Sequence, residues 1–272
     1  MSEKIDIKPR RSRNFYESEA YKKLRTNIQF SGKSMKVIAF TSNGPNEGKT
    51  EVSFKLAWSL AEIGKKTVFV DVDLRNSALL KKYKINCELR GLAHYLVGEN
   101  SLDEIIAHTQ NPYFDIIPIG AFPPNPSELL SQDVYKELLA ELKEKYDYVI
   151  LDTPPAGLVV DGVIASSAAD GVIMLLSSGD VTFKQTKATL DELSKANCKV
   201  IGCVLNKCGQ KKGSAYGYGY YGKYGGYSKY GNYGKYGSYG GYGGTFSENA
   251  PAKRKFFKLR RKFKSNGKKV SK

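Results

Sequence analysis

The sequence predicts an α/β fold built on a doubly wound, mostly parallel β-sheet, followed by a disordered C-terminal tail. Two observations predict the sheet. First, the runs VIAF, VFVDVD, YVILD and VIMLL are almost continuously apolar, as expected of strands that are covered on both faces. Second, these runs alternate with longer amphipathic segments, which places a crossover helix after each parallel strand. The predicted domain spans about residues 35–208.

Each element is predicted either from a short run rich in β-branched residues or from an amphipathic segment. A first helix is expected over residues 18–30, with Ser18 as its N-cap and Ala20, Leu24 and Ile28 on one face. The predicted strands are residues 36–41, 67–73, 114–118, 148–152, 171–176 and 200–205. The predicted helices lie near residues 50–63, 89–97, 103–108, 127–145, 161–168 and 183–196.

The positive charge of the chain is concentrated at one end. The 272 residues include 43 Lys and Arg against 27 Asp and Glu, for a formal charge of +16. Residues 211–272 hold 16 of the basic residues and a single acid, Glu248, whereas residues 1–210 are nearly neutral. A neutral body with a basic tail argues against a DNA-binding fold that is basic over its whole surface.

Other classes of protein are excluded by features that the sequence lacks. No apolar run approaches the roughly 18–20 residues that span a bilayer, and MSEKIDIKPRRSRN contains no apolar signal-peptide segment. Four cysteines are too few for a disulfide framework in a chain of this length, and they lack the spacing of zinc sites. Cys203, within VIGCVLN, is expected to be a small core residue. The chain is therefore expected to be cytoplasmic.

Composition divides the chain into four parts. Residues 1–34 are predicted to form an N-terminal arm and helix, 35–210 the α/β domain, 211–244 a tyrosine cluster and 245–272 a basic tail. Residues 213–244 contain 13 Gly and 11 Tyr but almost no aliphatic residues, so apolar burial cannot offset their ordering entropy. This segment is predicted to be disordered. Its tyrosines are Tyr216, Tyr218, Tyr220, Tyr221, Tyr224, Tyr227, Tyr230, Tyr233, Tyr236, Tyr239 and Tyr242.

A glycine- and lysine-containing turn lies between the first predicted strand and the next helix. Such a turn lets successive backbone N–H groups surround a phosphate at a helix N-terminus. Lys49 would place a cation at the β- and γ-phosphates, and Thr50 a hydroxyl on Mg²⁺. The usual pattern has glycine where this chain has Asn43, which tolerates a left-handed backbone better than most residues. The predicted nucleotide-binding residues are Gly44, Pro45, Asn46, Glu47, Gly48, Lys49, Thr50 and the next residue, Glu51.

Carboxylates follow two other predicted strands. Asp71 and Asp73 end FVDVD and point the same way because side chains alternate along a strand, while Asp152 ends YVILD in the manner of a Walker B strand. Ligands of such sheets bind outside the carboxyl ends of the strands. The three motifs, in this order on strands of one sheet, predict a site for a nucleotide with Mg²⁺.

These motifs together resemble those of the bacterial tyrosine kinases, or BY-kinases, which have P-loop folds unrelated to eukaryotic kinases. The resemblance covers nearly the whole chain: SEAYKKLRTNI, the P-loop, FVDVDLR, PPNPSELL, LDTPP, VLNK and the tyrosine cluster. The chain is most similar to the cytoplasmic kinases of capsule and exopolysaccharide systems whose transmembrane activator is a separate chain.

The resemblance implies a role for each residue of the predicted site. Lys49 and Thr50 would bind phosphate and Mg²⁺, Asp73 and Asp152 would organise the Mg²⁺ shell, and Asp71 would accept the proton of the tyrosine hydroxyl. The eleven tyrosines of the cluster would be the phosphoacceptors. A carboxylate base suits this reaction, since free tyrosine has a pKa near 10.

The resemblance also implies contacts with the adenine base and with other subunits. Asn206 lies where related P-loop proteins contact adenine. Glu19, Lys22 and Arg25 match the Glu-x-x-Arg-x-x-Arg helix that assembles the family into rings, with Lys in the middle position. Lysine keeps the charge but loses the planar fork of arginine. Gly44 replaces the signature lysine of MinD/ParA-type ATPases, which disfavours that neighbouring family.

The predicted function is therefore an ATP- and Mg²⁺-dependent tyrosine kinase that phosphorylates its own cluster between subunits and regulates capsular or exopolysaccharide synthesis. The alternatives are a ParA/MinD-like ATPase, or a nucleotide-gated adaptor whose tail binds membrane or RNA. The expected location is the cytoplasmic face of the membrane, held by the activator. The segment KRKFFKLRRKFK suits an anionic membrane surface, and phosphorylation of the cluster would reverse the charge of the tail. Nucleic acid is not expected as a partner.

Overall fold

The computed structural model describes residues 5–9, 12, 15–83 and 90–208. Its strands are β1 (Val37–Ser42), β2 (Thr67–Asp71), β3 (Ala107–His108), β4 (Phe114–Ile117), β5 (Tyr148–Asp152), β6 (Gly171–Ser177) and β7 (Val200–Asn206). Its helices are α1 (Phe15–Phe30), α2 (Lys49–Ala61), α3 (Ala78–Tyr83), α4 (Leu92–Leu96), α5 (Leu102–Ile105), α6 (Pro126–Ser131), α7 (Asp133–Lys145), α8 (Val160–Ser167) and α9 (Phe183–Lys195).

The strands form one sheet in the order β3-β4-β2-β5-β1-β6-β7. Every pairing is parallel except that of β3 with β4 at one edge. Parallel neighbours that are distant in sequence require crossovers, and these are supplied by the helices. The predicted doubly wound α/β fold is confirmed.

The centre of the sheet holds the core. The residues of β1 and β2 are all buried, and β5 is buried from Val149 to Asp152. β5 contacts both α2 and α7, so helices cover its two faces, while α1 packs on the outside of α2. Asp71 and Asp152 therefore lie at the carboxyl ends of buried central strands, and both are themselves buried.

Several predicted boundaries are corrected by the structure. The predicted helix 127–145 is two helices, because Gln132 adopts an extended conformation with φ −75° and ψ 154° between α6 and α7. The predicted helix 103–108 ends at Ile105, and Ala107–His108 instead pair with β4. Helix α3 was not predicted.

The first helix begins earlier than predicted. α1 starts at Phe15, so Ser18 lies inside it and is not its N-cap. Ile28 is buried and Leu24 packs against the core as expected, whereas Ala20 is exposed. The prediction that Cys203 is a core residue is wrong, since this side chain of β7 is exposed.

The predicted tyrosine cluster and basic tail lie outside the described residues. Within the part of the chain that the structure describes, no helix is long and apolar enough to cross a membrane.

Candidate active site

The loop between β1 and α2 has the conformation that surrounds a phosphate. Gly48 caps α2 in the left-handed region, with φ 96°, and Asn46 is also left-handed, with φ 59°. A Cβ atom on Gly48 would lie 2.3 Å from the amide nitrogen of Asn206, so only glycine fits there. The first backbone N–H groups of α2 are thus directed at the site that the P-loop motif predicts.

Asn43 does not have the left-handed backbone expected of it. Within the loop, only Asn46 and Gly48 have positive φ angles. The side chain of Asn43 instead accepts a hydrogen bond of 2.8 Å from the hydroxyl of Thr189. Its amide therefore ties the start of the loop to α9, a role that no local sequence signal indicates.

A buried carboxylate braces the loop from within. One oxygen of Glu47 accepts a 2.6 Å hydrogen bond from the backbone N–H of Gly44, and the other accepts a 3.0 Å bond from that of Ser177. The amide of Asn206 donates to the carbonyl oxygen of Glu47 at 2.8 Å. The side chains of Glu47 and Asn206 therefore hold the loop against β6 and β7.

Side chains in the first turn of α2 face either the carboxylates of the site or the neighbouring lysines of α2 and α3. Lys49 is buried and lies near Asp73 and Asp152, whose ionised forms its charge favours. Thr50 hydrogen-bonds Asp152. Glu51 instead forms ion pairs with Lys55 and Lys82, and although burial opposes ionisation, these pairs lower its pKa to about 2. The carboxylate of Glu51 is thus committed to helix packing.

The predicted carboxylates converge at the carboxyl edge of the sheet. Asp71 and Asp152 are paired directly across β2 and β5, and both are buried. Burial, and then the charge of Asp152, raise the pKa of Asp71 well above its usual range. Burial raises the pKa of Asp152 to about 6 despite the nearby Lys49, and it also raises the pKa of the partly exposed Asp73.

Side chains that the sequence did not single out orient these carboxylates. The hydroxyl of Ser77 donates to Asp71 at 2.5 Å, and the backbone N–H of Asp73 donates to the other oxygen at 3.2 Å. Ser53 donates to Asp152 at 3.4 Å. Ser77 lies six positions after Asp71 and outside the predicted strand, so only its position in the fold reveals this role.

Another buried carboxylate, on α8, connects α6 with the segment that follows β2. Asp161 is fully buried and accepts hydrogen bonds from the guanidinium of Arg75 and from the hydroxyl of Ser127. These interactions lower its pKa, against the effect of burial. Arg75 ends FVDVDLR, Ser127 lies in PPNPSELL and Asp161 follows LDTPP, so three segments of the resemblance meet here.

The three residues of the predicted subunit-contact helix do not share one environment. Glu19 and Lys22 are exposed and pair with each other at 2.7 Å. Arg25 turns inward and donates to the carbonyl and hydroxyl oxygens of Ser59 on α2, at 2.9 and 2.8 Å. The guanidinium thus docks α1 on its own domain.

The donor set fits Mg²⁺ bound together with a nucleotide. Among the described residues, no group of three or more His, Cys, Asp or Glu side chains could hold a metal ion by itself. Mg²⁺ usually takes one or two carboxylates together with phosphate oxygens and water. Thr50 and Asp152, with Asp73 nearby, provide oxygen donors of that kind.

Comparisons with known proteins point the same way. A family model described as an AAA domain matches residues 35–199. The tyrosine-protein kinase CpsD of Streptococcus agalactiae is 38% identical over 219 residues, which cover 80% of this chain and 95% of CpsD. This chain belongs to the bacterial tyrosine kinase family. The family predicted from the motifs is thereby confirmed.

Solved structures extend the comparison from sequence to fold. The kinase domain of the Escherichia coli tyrosine kinase ETK matches this bacterial tyrosine kinase with a TM-score of 0.68 and 33% identity, over 74% of this chain and 80% of that one. MinD of Pyrococcus horikoshii, complexed with Mg-ADP, matches with a TM-score of 0.55 and 27% identity, over 65% and 72% of the two chains. The kinase therefore has a nucleotide-binding P-loop fold.

Proposed function

We propose that this kinase transfers the γ-phosphoryl group of ATP to tyrosine hydroxyls, including those of its own C-terminal cluster in a neighbouring subunit. One observation carries the proposal. Lys49, Asp71, Asp73 and Asp152 come from three separate segments and converge beside a phosphate-binding loop. Phosphoryl transfer depends mainly on positioning and on charge stabilisation, which a lysine, carboxylates and a metal provide.

The chain's own residues position the reacting groups. Lys49 and the backbone N–H groups of the loop bind the phosphates, and Thr50, Asp73 and Asp152 would hold Mg²⁺. When bound, Mg²⁺ neutralises part of the charge of the phosphates and carboxylates. The tyrosine oxygen forms a new bond to the γ-phosphorus, the bond from that phosphorus to the oxygen of ADP breaks, and the hydroxyl proton goes to a carboxylate.

We assign that proton to Asp71. Burial and the charge of Asp152 give Asp71 a raised pKa, which suits a proton acceptor near neutral pH. Asp71 has no exposed surface and accepts a hydrogen bond from Ser77. The acceptor tyrosine must therefore displace the Ser77 hydroxyl to reach this carboxylate. Asp71→Asn should abolish transfer to tyrosine while nucleotide binding survives. If Asp73→Asn does so and Asp71→Asn does not, the proton goes to Asp73.

We further propose that the kinase works with a separate transmembrane activator, assembles into rings and regulates capsular or exopolysaccharide synthesis at the inner face of the membrane. This proposal rests on the family resemblance and on the exposed Glu19 and Lys22 of α1. Each phosphotyrosine adds about −1.5 to −2 charges, so full phosphorylation would make the tail acidic and release it from anionic lipid. Deleting the gene should alter the amount or chain length of the polysaccharide.

Labelled phosphate separates this function from its alternatives. Purified full-length protein is incubated with γ-labelled ATP and Mg²⁺, with and without the cytoplasmic segment of the activator. The test variants are Lys49→Met and an eleven-tyrosine-to-phenylalanine chain, and the control is Lys66→Met, an exposed lysine far from the loop. The kinase predicts label on the tyrosines of the cluster, lost in both test variants and retained in the control.

Two other results would overturn the kinase assignment. Release of free phosphate with no label on protein, under both conditions, indicates a MinD-like ATPase. Nucleotide binding with neither product under either condition indicates a nucleotide-gated adaptor.

A further inference from the structure

Strand β7 has an apolar sequence but an exposed surface. It is the last strand of the sheet, and among the described residues no strand pairs with its outer edge. Cys203 is exposed, Leu205 is 60% exposed, and nothing lies within 4 Å of where a Cβ atom on Gly202 would be. By contrast, the paired neighbour of Cys203 on β6, Met174, is fully buried.

An exposed edge of this kind is a template for another strand. Its unpaired backbone groups and its apolar side chains favour the addition of a chain that supplies both hydrogen bonds and a cover. VIGCVLN has the composition of a strand that is buried on both faces. The described residues supply only part of that burial.

The chain that leaves β7 begins to turn at once. Lys207 has a left-handed backbone with φ 58°, and its ammonium group lies 3.7 Å from Asp180. A left-handed residue directly after a strand is typical of a turn.

A strand-like pattern begins at Tyr216, after the nine residues that follow β7. Residues 216–220 read Tyr-Gly-Tyr-Gly-Tyr, which places Tyr216, Tyr218 and Tyr220 on one face of an extended chain. The seven tyrosines from Tyr224 to Tyr242 recur every three residues instead and cannot share one face of a strand. Tyrosine has a high strand propensity, and the two-residue spacing of Tyr216, Tyr218 and Tyr220 equals that of Cys203 and Leu205 on β7.

We propose that residues 216–220 add an antiparallel strand to the free edge of β7, with the rings of Tyr216, Tyr218 and Tyr220 covering Cys203 and Leu205. Tethering favours this segment over a second copy of the chain, because a short connection gives an effective concentration in the millimolar range. The cover divides the tyrosine cluster into a docked part and a part that starts at Tyr221. This division bears on phosphorylation only if the proposed kinase function holds, whereas the docking itself does not depend on it.

Cys203 on β7 provides the test without any kinase assay. The full-length protein, free of nucleotide, is treated with a maleimide, and the labelling rate of each cysteine is followed by mass spectrometry. The test variant changes Tyr216, Tyr218 and Tyr220 to Ser. The matched control changes Tyr233, Tyr236 and Tyr239 to Ser. Cys208, which is exposed and lies beyond β7, is the internal reference.

Docking predicts that Cys203 is labelled about tenfold faster in the test variant than in the wild type, as expected if the edge is paired about 90% of the time. The control variant should behave like the wild type, and the rate at Cys208 should be the same in all three proteins. Equal rates at Cys203 in wild type and test variant would overturn the proposal. Protection of Cys203 that persists in the test variant and disappears on dilution would also overturn it, and would assign the edge to a second copy of the chain.

Discussion

Strands β5 and β7 have similar sequences but different places in the sheet. Both are apolar runs whose last residue is polar and lies beside the P-loop: Asp152 in β5, and Asn206 in β7. β5 lies between two other strands and between two helices, and its residues from Val149 onward are buried. β7 lies at the edge, and Cys203 and Leu205 are exposed. Position in the sheet, rather than local composition, decides how much each strand stabilises.

The polar residue at the end of each strand also acts differently. Asp152 is a buried ionisable group beside Lys49 and Thr50, whereas Asn206 is a neutral amide that supports the backbone of the loop from outside. If the proposed function holds, the centre of the sheet supplies charge for phosphoryl transfer, and the edge supplies rigidity to the loop. Substitutions at the two ends should separate these contributions.

The largest effect is expected at the end of β5. Asp152→Asn removes the charge that faces Lys49 and Thr50 and a proposed donor to Mg²⁺, so phosphoryl transfer should fall on the order of 10²–10³-fold, as for loss of one electrostatic contact in an active site. The initial rate of tyrosine phosphorylation measures it. Asp147→Asn, just before the same strand, is the control, and its rate should stay within about twofold of wild type. A similar loss in both variants would mean that β5 itself was disturbed.

The convergence of the carboxylates could be predicted because it follows from the fold class alone. Parallel strands have their carboxyl ends at one edge of the sheet. A parallel sheet therefore implies that Asp71 and Asp152, at the ends of two of its strands, lie close together. The bounds 148–152 of β5 were also correct, since a short apolar run between polar residues leaves little choice.

The bracing contacts could not be predicted, because they join residues that are distant in sequence. Arg75 and Asp161 are separated by 86 positions, and Asn43 and Thr189 by 146. Nothing local distinguishes these side chains from other surface polar groups. The exposure of β7 was missed for a related reason: an apolar strand at the edge has the same sequence pattern as one at the centre.

The second effect concerns stability and compares the two strands directly. Leu151 on β5 is fully buried, so Leu151→Ala should lower the free energy of unfolding by about 3 kcal/mol. Leu205 on β7 is 60% exposed, so in a background where Tyr216, Tyr218 and Tyr220 are changed to Ser, which removes the proposed cover, Leu205→Ala should lower it by less than about 1 kcal/mol. Urea unfolding followed by circular dichroism measures both. Equal losses would show that β7 is as well covered in solution as β5.

A smaller effect is expected at the end of β7. Asn206→Ala removes the 2.8 Å hydrogen bond to the carbonyl oxygen of Glu47, which contributes about 1 kcal/mol. If the bond holds the loop in its binding conformation, affinity for ADP should fall about fivefold, measured by titration calorimetry. Leu205→Ala, one residue earlier, should leave affinity unchanged. A loss greater than about 100-fold for Asn206→Ala would indicate direct contact with the nucleotide rather than support of the loop.

The smallest effect should differ in sign between the edge strand and its neighbour. Gly202 on β7 has open space where a Cβ atom would be, so Gly202→Ala should stabilise by roughly 0.5–1 kcal/mol, because alanine loses less backbone entropy on folding. Gly171 on β6 is different: its Cβ atom would lie 2.6 Å from the sulfur of Met35. Gly171→Ala should therefore destabilise the protein. Thermal unfolding of both variants measures the signs, and destabilisation by Gly202→Ala would show that a chain lies against this position of β7 in solution.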